Sequence, residues 1–318
     1  MNSVLATAWP RAGLLGNPSD LYEGRGIGFT FADFSAQVEC RPSNVPSRGD
    51  IVGIEYGGGL YSPLAQPPEP DILQAARVML RELGVSDETQ GKFALSMQCD
   101  IPQQLGLSGS SAIIIAALRA VCGYLHLDCP PAQMAELALR AETEVMGIAA
   151  GPMDRMVQSF EGLVAMDFAS GEVERLDTAL MPPVAILMDR KPGQESGSVH
   201  APVRQRWEEG DPEVRAVMAE FRPLVEQGLA YLKAGDIAGL RACVDRNFDL
   251  RAQVFPIGKR DRRAIERARS LGVAAKFCGS GGAILAVHED EALLDELCLQ
   301  VVGDGFEGIR PQITEVVA

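Results

Sequence analysis

Apolar runs broken by glycine, proline and aspartate divide the chain into short elements. Residues 27–34, 36–40, 51–56 and 93–99 have the composition of strands, and Leu14-Leu15 reads as the end of a buried one. Asp71 is a natural N-cap for a helix through Leu83, because Ile72, Ala75, Ala76, Met79, Leu80 and Leu83 fall on one face. An apolar helix is expected over 111–125, and Pro130-Pro131 opens another that runs to about Met146. Strands then recur at 162–168 and 184–188. Helices follow at 212–233, 236–253 and 259–271, then a strand–turn–strand at 273–287 and a helix at 289–302. Gly57-Gly-Gly and the proline cluster at 63–70 mark loops. No fixed-period repeat is visible. The polar stretch 189–211 is long for a plain connection, which is the mark of a functional segment. It is expected to close over a ligand and exclude water. This order of elements suits two α+β domains, placed at 1–170 and 171–318.

Composition narrows the class. The chain has 318 residues, enough for two cores, and a formal charge of −14. That charge argues against nucleic acid or an anionic membrane as the main partner, though not against a small anion held by local donors. Seven cysteines without CxxC spacing suit reduced thiols and a cytoplasmic protein. The first residues lack the basic and apolar regions of a secretory signal.

The strongest local signal is 102-PQQLGLSGSSAIIIAALRA-120. Glycines let the backbone approach a ligand, and the helix behind them adds the positive end of its dipole. Gly106, Leu107, Ser108, Gly109, Ser110, Ser111 and Ala112 therefore make a candidate phosphate site. No Gly-Lys-Ser/Thr follows, so it is not the common P-loop, and G-x-G-x-x-G is absent. The segment resembles the second motif of the GHMP kinases. The turn of Gly279, Ser280, Gly281 and Gly282 within 276-KFCGSGGAILAV-287 resembles their third, a structural loop against the phosphate loop. The opening 11-RAGLLGNPSD-20 resembles their first. The resemblance covers the whole chain. It implies a two-domain α+β fold with the active site in the cleft between domains, ATP and Mg²⁺ as cofactors, and a small-molecule acceptor.

In 140-RAETEVMGIAAGPMDRMVQSF-160 the resemblance implies a glutamate as metal ligand and an aspartate near the acceptor hydroxyl. The spacing maps these onto Glu142 and Asp154. Helical geometry puts Glu142 and Glu144 on opposite flanks of the apolar stripe, with Glu144 able to pair with Arg140. Ser110 and Ser111 both remain candidates for the serine contact to the metal. Asp154 either orients the hydroxyl or takes its proton, and Arg11 faces the phosphoryl group.

Among GHMP kinases the motifs are most similar to those of the glucuronokinases: GLLGNPSD, GLSGSSA, AGPMDRMVQ and SGSVHAPVRQRW. This resemblance implies transfer to the anomeric hydroxyl of D-glucuronate, with Asn17, Ser19 and Asp20 facing the sugar. Arg25, Arg155, His200 and Arg204 are candidates for its carboxylate, since an arginine fork matches a carboxylate. Galactose, fucose, a heptose or mevalonate are alternative acceptors. A sugar sensor on a catalytically retired scaffold is the reading from a different class.

Overall fold

The computed structural model describes residues 3–43, 54–56, 71–191 and 196–315. The expected loops at 57–59 and 63–70, and the start of the strand expected at 51–56, lie outside the described residues. So do residues 192–195 of the polar stretch.

Along the chain the strands are β1 (Val4–Ala8), β2 (Arg11–Leu15), β3 (Arg25–Thr30), β4 (Ala36–Pro42), β5 (Ile54–Tyr56) and β6 (Phe93–Cys99). They continue as β7 (Leu163–Asp167), β8 (Val173–Leu176), β9 (Val184–Asp189), β10 (Ala274–Phe277), β11 (Ala283–Val287) and β12 (Phe306–Ile309). The helices are α1 (Asp71–Leu80), α2 (Asp87–Gln90), α3 (Gly109–Leu125), α4 (Pro131–Arg140) and α5 (Met153–Phe160). After them come α6 (Ser196–Glu208), α7 (Pro212–Ala234), α8 (Ile237–Val254), α9 (Lys259–Ser270) and α10 (Glu291–Gln300).

The chain forms two compact units that are not successive stretches of sequence. One holds residues 1–10, 34–101 and 108–160; the other holds 11–33, 102–107 and 161–318. The chain therefore passes between units after Pro10 and again inside the glycine-rich turn, between Leu107 and Ser108.

In the first unit the sheet runs β1-β4-β6-β5, antiparallel except for the parallel β5–β6 pair. Helix α3 packs on β1 and β4. Ile113, Ile114, Ile115, Leu118 and Val121 are all buried, as expected of a helix that is apolar on nearly every side. Helix α4 begins at Pro131, whose missing N–H costs nothing at a first helical position.

The helix expected to continue to Met146 changes character. After Arg140 the turn widens, and the Met146 N–H donates to Ala141 O five residues back at 3.1 Å. Such widened turns are frequent at functional sites. Glu142 lies in this one.

The second unit contains two antiparallel sheets, β2-β3-β7-β8 and β10-β11-β9-β12. Leu187, Phe248, Ile265, Phe277, Ile284 and Phe306 centre the core beside the latter. Caps fix the helices: Asp211 accepts from the Glu213 and Val214 N–H groups, and Asp236 accepts from Gly239 N–H.

The polar stretch after Asp189 is not simply a long loop, because residues 196–208 form α6. Its hydrophobic face is weak, so no apolar stripe announced it. All seven cysteines are free, and no described helix is long and apolar enough to cross a membrane.

Candidate active site

The first unit carries a cluster of carboxylates, hydroxyls and one arginine around the start of α3. Ser108 holds φ +64°, a conformation uncommon outside glycine. Two contacts fix it there. Its Oγ donates to Asp154 Oδ2 at 2.7 Å, and its carbonyl accepts from Gln158 Nε2 at 2.9 Å. Asp154 sits in the first turn of α5, which brings it beside a residue 46 positions earlier. Strained backbone held by side-chain contacts is characteristic of working sites.

Ser110 and Ser111 take different roles. Ser110 Oγ donates to Glu142 Oε1. Ser111 Oγ instead donates to Gln158 Oε1 at 2.6 Å and is fully buried. Only Ser110 therefore stands beside the carboxylate read as a metal ligand. Glu142 is 1% exposed, and Arg155 pairs with its other oxygen. Arg155 also donates to Gly151 O at 2.8 Å and lies 3.6 Å from Asp154 Oδ2. Glu144 faces outward and pairs with Arg140 at 3.1 Å. A carboxylate and a hydroxyl are the hard oxygen donors that Mg²⁺ prefers, so Glu142 and Ser110 fit that ion.

Gln158 was not singled out as a site residue. It joins Ser111, Ser108 and Trp9 through hydrogen bonds of 2.6–2.9 Å and is fully buried. Its signal in the sequence was its place one helical turn beyond Asp154.

The second unit carries a contrasting cluster, in which cations meet backbone carbonyls. Arg11 Nη1 donates to Gly106 O at 2.7 Å and to Cys278 O at 3.1 Å. Lys276, 1% exposed, donates to Gly13 O, Asn17 Oδ1 and Phe277 O at 2.6, 2.5 and 2.8 Å. Three donors thus meet three acceptors. Burial pulls the Lys276 ammonium down from its usual 10.5 to about 7. Arg251 donates to Gly279 O and Ser280 O, both at 2.8 Å. Asn247 bridges Gly16 N–H and Asn17 O.

These contacts tie the turn of Gly279–Gly282 to the opening strand and to Gly106. The approach is too close for side chains. A Cβ on Gly279 would lie 2.4 Å from Gly106 O, and one on Gly106 would lie 2.8 Å from Ser280 N. Lys276 and Arg251 were not read as site residues. The signal for Lys276 was a lone charge inside the apolar strand β10. For Arg251 it was weak, a position four residues after Asn247 on α8.

The residues expected to face a sugar divide. Asn17 and Ser19 are buried, and their side chains serve the turn. The Asn17 amide is held by Lys276 and also donates to Phe277 O and Gly279 O, while Ser19 Oγ donates to Arg25 O. Asp20 is half-buried in the short helical turn Ser19–Tyr22. Arg25 pairs with Asp167 at 2.9 Å and Glu226 at 3.1 Å. Arg204 pairs with Glu208 at 2.6 Å and donates to Leu21 O at 2.9 Å. His200 meets the Phe255 ring edge-on at 5.5 Å.

Comparison with known proteins gives the family. Residues 71–162 match the GHMP kinases N terminal domain, and residues 229–306 match the GHMP kinases C terminal model. The chain is 35% identical over 331 residues to probable glucuronokinase 2 of Arabidopsis thaliana, covering 92% of this chain and 87% of that protein. It is 33% identical over 325 residues to glucuronokinase 1 of the same plant, covering 92% and 88%. The structure of Lactococcus lactis galactokinase with galactose superposes with a TM-score of 0.79 over 98% of this chain and 93% of that one. At 16% identity that likeness shows the fold. The chain belongs to the GHMP kinases and is a phosphotransferase with an alcohol group as acceptor.

Proposed function

We propose that this protein transfers the γ-phosphoryl group of ATP to the anomeric hydroxyl of D-glucuronate, giving glucuronate 1-phosphate and ADP. GHMP kinases use ATP as phosphate donor. The two Arabidopsis glucuronokinases, matched over 92% of this chain, support the acceptor. The observation that carries the chemistry is Asp154, fixed by Ser108 at the head of α3.

The anomeric oxygen attacks the γ-phosphorus and forms the new P–O bond. The bond from the γ-phosphorus to the β,γ-bridging oxygen breaks, and that oxygen leaves on ADP with the electron pair. Asp154 orients the hydroxyl and receives its proton. The N–H groups at the start of α3 and the glycine loop cradle the phosphates. Ser110 and Glu142 would hold Mg²⁺, which neutralises phosphate charge when bound. Arg155 keeps the Glu142 carboxylate turned towards Ser110, and Arg11 steadies the Gly106 carbonyl.

The test is coupled ADP release with ATP and Mg²⁺ across glucuronate, galacturonate, glucose, galactose, fucose and mevalonate. Glucuronate is expected to exceed the neutral sugars in kcat/KM by about tenfold or more, as befits a site that pairs a charge. Asp154→Ala is expected to lower kcat by about 10²–10⁴. Turnover confined to neutral acceptors would overturn the substrate. An undiminished rate in the variant would overturn the role of Asp154.

A further inference from the structure

A uronic acid brings a carboxylate that must meet donors and positive charge inside the site. The arginines picked out by the sequence already face carboxylates: Arg25 has Asp167 and Glu226, Arg155 has Glu142, and Arg204 has Glu208. Arg251 differs. It is 2% exposed, its two terminal nitrogens donate to the carbonyls of Gly279 and Ser280, and its guanidinium lies over the Phe255 and Phe277 rings at 5.0 and 4.9 Å from their centroids. Its Nε–H is buried without an acceptor among the described residues.

Tyr22 shows the same feature. Its ring packs against Trp207 with centroids 5.0 Å apart, and its hydroxyl is buried without a partner among the described residues. Buried donors in folded proteins are nearly always satisfied, so two orphans in one neighbourhood need an explanation. Each lies within electrostatic reach of the other. Asp20 and Asp261 also lie within reach of Arg251, yet neither takes its Nε–H. Asp20 and Arg204, within electrostatic reach of Tyr22, and His200, against the Phe255 ring that Arg251 covers, are only half-buried.

We infer that Tyr22 and Arg251 form the subsite for the acceptor's carboxylate, Tyr22 Oη and Arg251 Nε each donating to one carboxylate oxygen. This rests on the uronate reading given above. Protonation states suit the role. Burial pushes the Tyr22 hydroxyl up to about 12, so it remains a donor. Burial pulls Arg251 down to about 10, which leaves it charged at neutral pH. A neutral hydroxymethyl group at the same place would gain no charge pairing with the guanidinium, so the pair favours the acid over neutral sugars. Because Arg251 simultaneously holds the Gly279–Gly282 turn, recognition of the acid is coupled mechanically to that loop.

Tyr22→Phe is the cleanest probe, since it removes one O–H and keeps the ring against Trp207. Steady-state kinetics on the full chain would compare glucuronate with glucose and galactose, alongside the KM for ATP. We expect the variant's KM for glucuronate to rise about tenfold or more, the size of a lost hydrogen bond to a charged group. The KM for ATP should hold, and the preference for glucuronate over neutral sugars should fall by the same factor. Arg251→Gln should erase most of that preference. If the wild type uses glucuronate and Tyr22→Phe keeps its KM and acceptor preference, this subsite is wrong while the function stands. If the wild type uses only neutral acceptors, the function and the subsite fall together.

Discussion

The two polar clusters solve different problems with the same kinds of side chain. Around the head of α3, charges meet charges and hydroxyls: Glu142 with Arg155 and Ser110, Asp154 with Ser108. Around β10 and the Gly279–Gly282 turn, cations meet carbonyls: Lys276, Arg251 and Arg11 collect backbone oxygens. The first arrangement sets carboxylate oxygens beside the glycine-rich turn, where the proposed reaction would use them for an ion and a hydroxyl. The second gives irregular backbone the donors it lacks, since turns built from glycine have few partners of their own. The proposed chemistry falls to the first cluster, and the second holds the loops in shape while offering Arg251 to the proposed carboxylate subsite.

The largest effect that would break this contrast comes from Glu142→Ala. Removing it strands the Arg155 guanidinium, whose side chain is 6% exposed. Stranding a buried charge costs about 3–5 kcal/mol. We expect the low end, about 3 kcal/mol, because Gly151 O and Asp154 still take part of the guanidinium. Urea unfolding reads this directly, and a loss below about 1 kcal/mol would mean the pair is not buried in solution. The control lies two residues on. Glu144→Ala, in the same widened turn but exposed, should change stability by no more than about 0.5 kcal/mol.

A smaller effect sharpens the carbonyl cluster. Lys276→Met takes the lysine donor from Gly13 O and Asn17 Oδ1 and leaves Phe277 O with the Asn17 amide, a cost of about 1–3 kcal/mol. It also changes the pH dependence. With Lys276 lowered to about 7 from 10.5, the unfolded chain holds a proton in that window that the folded chain has released. Stability conferred through this group therefore rises with pH from about 7 to 10.5 and is flat below. Urea titrations at pH 6, 7.5 and 9 should show the gap between wild type and Lys276→Met widening with pH. A constant gap would place the ammonium in contact with water.

Much of this was legible in the chain because glycine and serine spacing carries mechanism. The turn at 106–112, the order of helices after Asp211 and the strands at 163–167 and 274–287 follow from local pattern and capping. What escaped did so for physical reasons. Strands β1, β8 and β12 are short, and their sides are only partly buried, so alternation was faint. Ideal helical geometry separated Glu142 from Glu144, but the widened turn that carries both is set by packing, not by propensity. Asn17 looked like a ligand residue because turns display polar side chains. Its contact with Lys276, 259 residues away in sequence, has no local signal. Tyr22 and Arg251 lay in no motif, and only folding brings them together.

The most direct test of the central claim is the identity of the product, read by ³¹P and ¹H NMR after incubation with ATP, Mg²⁺ and D-glucuronate. The account predicts ADP and one new phosphate ester whose phosphorus couples to the anomeric proton of glucuronate. A phosphate on any other hydroxyl, or glucuronate left unchanged while a neutral sugar is phosphorylated, would contradict it.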